Sequence, residues 1–316
     1  MRQHILVSDP MSEPGRALLQ SAGFQVEYLP APAPEQLQEA VTRCDAWIVR
    51  SATRATAELI ERAAKLKVIG RAGTGVDNVD VQAASKRGVI VMNVPGANTT
   101  SAAELTFALL AALARHIPQA HASMHEGRWD RKSYTGEELY GKTLGVVGFG
   151  RIGQAVAVRA RAFEMKVLAF DPYLAPDVVA PAMERVSFED LLPRCDYVTV
   201  HVPLSAETRG LFGREAFARM KPGARLIQCS RGGVVDEVAL HEALASGRLG
   251  GAALDVYEKE PPGDSPLLKR PNVICTPHLG ASTIEAQENV SVLIAEQVTA
   301  ALLGREIGRA SCRERV

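Results

Sequence analysis

The sequence predicts an α/β protein of two doubly wound parallel-sheet domains, on three observations. Short β-branched runs alternate with helical patterns over the first hundred residues, the alternation lapses after Pro95 into one long apolar helix, and a second alternating series then resumes. At 316 residues the chain is long enough for about two domains. It can bury roughly three-quarters of the surface its unfolded form exposes.

In order, HILVSD, VEYL, AWIVRS, VIGRAG and VIVMNV supply the first strands, with PGRALLQSAG, PEQLQEAV, TAELIERAAKL and VDVQAASKRG as helices between them. A parallel pair needs such a crossover. PAPAPE at 30–35 is a proline-rich loop. SAAELTFALLAALARHIPQAHASM reads as one long helix, with Ser101 and Glu104 in capping-box spacing and a kink at Pro118. The second series contributes six strands, TLGVVG, KVLAFD, DYVTVHV, ARLIQC, GAALDV and NVIC. A last helix at about 283–303 is long enough to run back to the first domain, making that domain discontinuous. The expected division is 1–97 plus 283–303, then 98–282, with GRASCRERV closing a disordered or vector-derived tail at 304–316.

Composition excludes several functions. Lysine plus arginine equal aspartate plus glutamate at 36 each, so no net field favours nucleic acid or an anionic membrane. Five scattered cysteines, Cys44, Cys195, Cys229, Cys275 and Cys312, form no C-x-x-C pair, which argues against disulfides and zinc and for a reducing, cytoplasmic setting. MRQHILVSDP lacks the apolar core of a signal peptide, and LTFALLAALA is too short to span a bilayer. His121 and His125 lie four apart on a helix, but no third ligand accompanies them, and no metal is expected.

The glycines of GVVGFGRIG, Gly148, Gly150 and Gly153, stand in G-x-G-x-x-G spacing between a strand and a helix. The first permits a tight turn, the second lets a pyrophosphate approach the backbone, and the third lets the helix pack on the strand. The helix N-terminus offers free N–H groups to the phosphates. Asp171 ends the next strand, 23 residues after Gly148, where a carboxylate accepts from ribose hydroxyls and repels a 2′-phosphate. NAD is therefore the expected cofactor.

Arg231, in QCSRGGVVDE, follows the strand ARLI, and its planar fork suits a substrate carboxylate. Asp236 reads as a helix N-cap. After GAALDV come three acids, Asp255, Glu258 and Glu260, each also readable as an ordinary loop carboxylate. His278, in TPHLGAS, follows the next strand. A lone histidine is usually a surface or packing residue, as His201 is expected to be. Arginine, acid and histidine at three successive strand ends instead make His278 a candidate general acid–base.

These residues, with VRSAT, GRAGTGVDNVD, NTTSAAELT, GRWDRK, GKTLGVVGFGRIG, CSRGGVVDE, GAALDVYEKEPP and PHLGAST, resemble the D-isomer-specific 2-hydroxyacid dehydrogenase family over nearly the whole chain to about residue 303. The resemblance implies a Rossmann-type NAD-binding domain inserted into a flavodoxin-like substrate-binding domain. It implies Arg231, Glu260 and His278 as the catalytic residues. It adds cofactor contacts at Thr74, Arg151, Ile152, Val202, Pro203, Cys229, Ser230, Asp255, Gly280 and Ala281. Formate dehydrogenases of the superfamily carry glutamine where Glu260 stands, so a hydroxy acid is the implied substrate. The closest pattern is that of members acting on 3-phosphoglycerate. Arg50, Ser51 and Arg71 are then substrate residues, with Gly73 and Gly75 as backbone donors, Asn98 nearby, and Arg131 reaching across a homodimer built on the 100–135 helix and arm. An unphosphorylated D-2-hydroxy acid, as in glyoxylate or hydroxypyruvate reductases, is the near alternative; an NAD-sensing corepressor is the distant one.

Overall fold

The computed structural model describes residues 2–174 and 183–305. In chain order these form β1 (His4–Val7), α1 (Glu13–Ser21), β2 (Gln25–Tyr28), α2 (Pro34–Ala40), β3 (Ala46–Val49), α3 (Ala57–Arg62), β4 (Val68–Arg71), α4 (Val81–Lys86) and β5 (Ile90–Asn93). Two helices follow, α5 (Thr99–Arg115) and α6 (Ile117–His125). The second series is β6 (Thr143–Val147), α7 (Arg151–Ala162), β7 (Lys166–Phe170), β8 (Met183–Arg185), α8 (Phe188–Leu191), β9 (Tyr197–Val200), α9 (Arg214–Arg219), β10 (Arg225–Gln228), α10 (Glu237–Ala245), β11 (Gly251–Leu254) and β12 (Val273–Cys275). The last helix is α11 (Ile284–Leu302). The chain divides into two compact units, one holding the residues up to Asn98 together with those from Ala281 on, the other Thr99–Gly280.

The first unit is a five-stranded parallel sheet in the order β2-β1-β3-β4-β5, the flavodoxin-like arrangement. β1 and β3 are buried throughout, while the edge strands β2 and β5 are only partly covered. A parallel sheet is covered on both faces, so its central strands read as unbroken apolar runs. Alternate residues feed two cores: Ile5, Val7, Ile48 and Met92 on one face, and Leu6, Trp47, Val49 and Ile69 on the other. α11 supplies Val290, Ile294 and Val298 to the first of these. Gly70 in β4 permits that docking, because a Cβ there would lie 2.7 Å from Val298 Cγ2 and 3.0 Å from Ile294 Cγ1.

The second unit is a seven-stranded parallel sheet in the order β12-β11-β10-β9-β6-β7-β8. Counted from β6, the order runs outward in both directions as in a Rossmann fold, and it reverses where β6 pairs with β9. That reversal opens a crevice at the strands' carboxyl ends. Six strands were expected from the sequence; the seventh, β8, is only Met-Glu-Arg, too short and too polar to show as an apolar run. Two cores again lie on opposite faces, one around Val147, Val198 and Phe212, the other around Leu144, Val146 and Phe107.

The long helix differs from expectation in two ways. It breaks at His116, whose backbone is left-handed (φ 53°), and Pro118 sits within the first turn of α6, where its missing N–H costs nothing. Ser101 is not a cap. The helix starts at Thr99, and the Ser101 hydroxyl donates to the Gly280 carbonyl at 2.9 Å. Most of the tail expected at 304–316, including Cys312, lies outside the described residues. No helix among the described residues is long and apolar enough to cross a membrane.

Candidate active site

At the switch point of the Thr99–Gly280 unit, β6 runs into the glycine loop. Gly148 has φ +91°, and a Cβ on it would lie 2.7 Å from the His201 carbonyl carbon. A Cβ on Gly153 would lie 2.2 Å from the Gly148 carbonyl oxygen, so loop and helix meet only because both positions lack side chains. Around Gly150 nothing stands within 4 Å of a Cβ, and Gly150 caps the 12-residue helix α7 without a side-chain bond. The N–H groups at the helix start therefore face an open cradle that fits a dinucleotide pyrophosphate. Arg151 is exposed and Ile152 half-buried on its first turn. Asp171, just past β7, accepts from Phe149 N at 2.8 Å and Tyr173 N at 2.9 Å, which pins its carboxylate against the loop.

The other edge of the crevice is formed after β9 and β10. His201 donates its N–H to the Val147 carbonyl, and burial lowers its imidazole to about 4, so the ring is neutral beside the Thr199 hydroxyl at 3.0 Å. Val202 is buried and Pro203 exposed beyond it. Burial pushes the Cys229 thiol up to about 12, which makes it a protonated wall residue and no nucleophile. The Ser230 hydroxyl donates to Gln228 Oε1 at 2.8 Å, and Gln228 Nε2 donates to the Arg231 carbonyl at 2.8 Å. Buried Gln228 thus ties off the loop that carries Arg231, whose Nη1 donates to the Ser230 carbonyl at 2.7 Å. Gly232 brings this loop onto the next: a Cβ there would lie 1.8 Å from the Tyr257 carbonyl oxygen.

Glu260 and His278 meet. His278 Nδ1 stands 2.7 Å from Glu260 Oε2, and Glu260 Oε1 accepts from Tyr257 N at 3.2 Å. Of the three acids left open by the sequence, Glu260 is the one bonded to the histidine; Glu258 is exposed on the loop. Both partners remain partly open, with side-chain exposures of 47 % and 39 %. His278 has φ +55°, a left-handed backbone that a non-glycine residue adopts at a cost of about 1–2 kcal/mol and keeps only where its surroundings enforce it. Asp255 does the enforcing. Fully buried, it accepts from the Thr276 hydroxyl at 2.6 Å, Leu279 N at 2.7 Å and Gly280 N at 2.9 Å, clasping the loop on both sides of the histidine. The Tyr257 hydroxyl adds a bond to the Thr276 carbonyl at 3.0 Å. Ala281, next in the chain, is half-buried.

In the first unit, Arg50 follows β3 and Arg71 ends β4, both at carboxyl ends of strands. Gly73 lies beneath the Arg71 guanidinium, since a Cβ on it would fall 1.6 Å from Nη1. Arg71 Nε reaches Asn78 Oδ1 at 3.5 Å, and Asn78 Nδ2 donates to the carbonyls of Arg50 and Thr53, each at 2.6 Å. The Thr74 hydroxyl donates to Asn98 Oδ1 at 2.9 Å, and Gly75 is half-buried beside it. Ser51 is exposed. Arg131 stands exposed on the segment after α6. Asp9, Asn78, Gln228 and Tyr257 were not singled out from the sequence; Asp9, Gln228 and Tyr257 stand at or just beyond the end of an apolar run, and Asn78 in the polar turn GTGVDN. The rings of His121 and His125 stack edge-on at 4.3 Å, and among the described residues no three potential ligands gather as a metal would require.

Comparison with known proteins bears on this geometry. Residues 107–280 match the model of the D-isomer specific 2-hydroxyacid dehydrogenase NAD-binding domain. The chain is 51 % identical over 303 residues to the D-3-phosphoglycerate dehydrogenase of Methanocaldococcus jannaschii, covering 95 % of this chain and 57 % of that relative. It thus spans a little over half the length of the curated relatives it matches. Its fold is similar to the crystal structure of a Thermus thermophilus protein (TM-score 0.90, 39 % identity, 96 % of this chain and 98 % of that one). It is likewise similar to an NAD-dependent formate dehydrogenase from Staphylococcus aureus in complex with NAD (TM-score 0.87, 32 % identity, 98 % of each chain). With a Rossmann unit that is this family's NAD-binding domain and relatives aligned along almost all its length, the chain belongs to the D-isomer specific 2-hydroxyacid dehydrogenase family.

Proposed function

We propose that this chain oxidises 3-phospho-D-glycerate to 3-phosphohydroxypyruvate with NAD as hydride acceptor, the entry reaction of phosphorylated serine biosynthesis. The observation that carries the reading is the 2.7 Å pairing of His278 Nδ1 with Glu260 Oε2. An ionised carboxylate only accepts, so Nδ1 keeps its proton and Nε2 presents a lone pair. Nε2 takes the C2 hydroxyl proton while the C2 hydrogen departs with its electron pair and the C–O bond becomes a carbonyl. NAD, when bound, supplies the ring that receives that hydride. Glu260 stabilises the imidazolium so formed. Arg231 binds the substrate carboxylate through its fork and polarises the nascent carbonyl oxygen.

Gly148, Gly150, Arg151, Ile152 and Gly153 hold the pyrophosphate end and Asp171 the ribose, with Thr74, Val202, Pro203, Cys229, Ser230, Asp255, Gly280 and Ala281 as the further cofactor contacts. Arg50 and Arg71 supply cations for the phosphate, with Ser51, Gly73, Gly75, Asn98 and the partner-reaching Arg131 completing the substrate set. Relatives named D-3-phosphoglycerate dehydrogenase at 50 % and 51 % identity support this substrate over an unphosphorylated one. A homodimer through the 100–135 helix and arm accords with exposed Ile117, Met124 and Trp129 along that segment.

The test is NADH formation with 3-phospho-D-glycerate, D-glycerate and D-lactate in parallel. Turnover should favour the phosphorylated acid, and Arg50→Ala with Arg71→Ala should remove that preference. His278→Asn should retain NAD binding and lose about 10²–10⁴-fold in kcat. Absence of NADH with every acid sinks the reading, and so does near-normal turnover by the His278 variant.

A further inference from the structure

The turn Arg50–Thr53 is held in an unusual manner. Surface turns normally leave backbone groups to water. Here two side chains from other loops take them, one from each side. Asp9, just beyond β1 and 2 % exposed, accepts on Oδ2 from the N–H groups of Arg50 and Thr53. Asn78 donates through Nδ2 to the carbonyls of the same two residues. Asn78 Oδ1 then meets Arg71 Nε, so one chain of bonds runs from Asp9 through the turn and Asn78 to the second arginine. Behind it the Thr53 hydroxyl donates to the Ser8 carbonyl at 3.2 Å, and Trp47 Nε1 to the Ser8 hydroxyl at 2.9 Å.

The fold alone does not require an acid at position 9. Asp9 Oδ1 is buried with no hydrogen-bond partner among the described residues, a costly state for half of a carboxylate. A neutral asparagine could accept the same two N–H groups and would leave an uncharged amide unpartnered there in place of half of a carboxylate, a smaller cost. The charge is explained by its neighbour: burial lowers the Arg50 guanidinium from its ordinary value, and the Asp9 charge opposes that shift.

We propose that Asp9 and Asn78 are positioning residues that fix Arg50 and Arg71 as one anion-binding pair, Asp9 by anchoring the backbone of the Arg50 turn, Asn78 by locking the distance between the two arginines' loops. This rests on the reading that the substrate is phosphorylated. The frame then sets selectivity for a phosphate and leaves the proton and hydride steps to other residues.

Asp9→Asn and Asn78→Asp, nearly isosteric, test it in the full chain. Each should raise KM for 3-phospho-D-glycerate about tenfold or more, leave kcat within about threefold, and spare both NADH affinity and the kcat/KM for D-glycerate. Should Asn78→Asp fail to fold, Asp9→Asn carries the same comparison. Folded variants with wild-type KM, or equal losses on both acids, or a lowered melting temperature with unchanged kinetics, would overturn the frame. Arg50→Ala and Arg71→Ala separate the two levels. If they lose the phosphorylated acid selectively while Asp9→Asn matches wild type, only the frame fails; if wild type itself shows no preference for the phosphorylated acid, the substrate reading fails and the frame with it.

Discussion

Asp255 holds more of the site's geometry than its distance from any proton suggests. It gives two oxygens to three donors around a histidine whose left-handed backbone would otherwise relax. Asp255→Asn keeps the volume but sets an N–H₂ against at least one backbone donor, so the loop must shift and leave a buried N–H unpaired. The expected result is a fall in kcat of about 10²-fold with NAD affinity reduced much less, read by steady-state kinetics and NADH fluorescence; an unchanged kcat would remove Asp255 from the positioning role. His201 gives a second prediction, in pH. Burial lowers it from 6.5 to about 4, so between these values the unfolded chain binds the proton first. Stability contributed by neutral His201 is therefore complete above about pH 6.5 and lost as pH falls towards 4, by about 1–2 kcal/mol between pH 7 and pH 5. Urea midpoints at those two pH values should differ less in His201→Gln than in wild type; an identical pH response in both would show that the ring is not the titrating group.

Among the elements, the contact of β4 with α11 depends on one missing side chain, that of Gly70. Adding a methyl at Gly70 gains about 0.4–1 kcal/mol by restricting the unfolded chain. It also overlaps Val298 and Ile294, both fully buried and unable to give way, at a cost of about 1–3 kcal/mol. Overpacking wins, and Gly70→Ala should lower stability by about 1–2 kcal/mol in a urea titration. Val298→Ala in the same chain should return part of the loss; failure to do so would place the strain elsewhere. The same elements show what a sequence can disclose. Strands such as AWIV and TLGVV are legible because burial on both faces forces unbroken apolar runs, and the glycine loop because sterics allow nothing else there. β8 is not legible, since three residues, two of them charged, carry no period. The break at His116 was misplaced to Pro118 because a proline is tolerated in a helix's first turn, so it marked the second helix's start and not a bend within one. Of the site, residues with reactive heads at strand ends were evident. Asp9 and Asn78 were not, because what distinguishes them is partners brought from distant loops, and Gln228 was not, because what distinguishes it is burial beneath its own loop, where it bonds residues 230 and 231.

At the scale of the molecule, each unit has its own pair of cores on the two faces of its own sheet, and this gives them separable responses. The two tryptophans make the difference measurable. Trp47 is fully buried in β3 and reports on the first unit, whereas Trp129 lies in the other, so a Trp129→Phe background isolates the Trp47 signal. A ligand that binds only folded protein stabilises what it binds by mass action, about 2.7 kcal/mol at a hundred times its dissociation constant. The glycine cradle lies wholly in the Thr99–Gly280 unit, which carries a little over half of the helix and strand seen by circular dichroism. NAD should therefore raise the transition followed by far-ultraviolet circular dichroism more than the one followed by Trp47 fluorescence. Gly70→Ala should do the reverse, lowering the Trp47 transition first. Coincident transitions, moved equally by the ligand and by the substitution, would mean that the two units unfold as one cooperative body and that neither sheet holds a stability of its own.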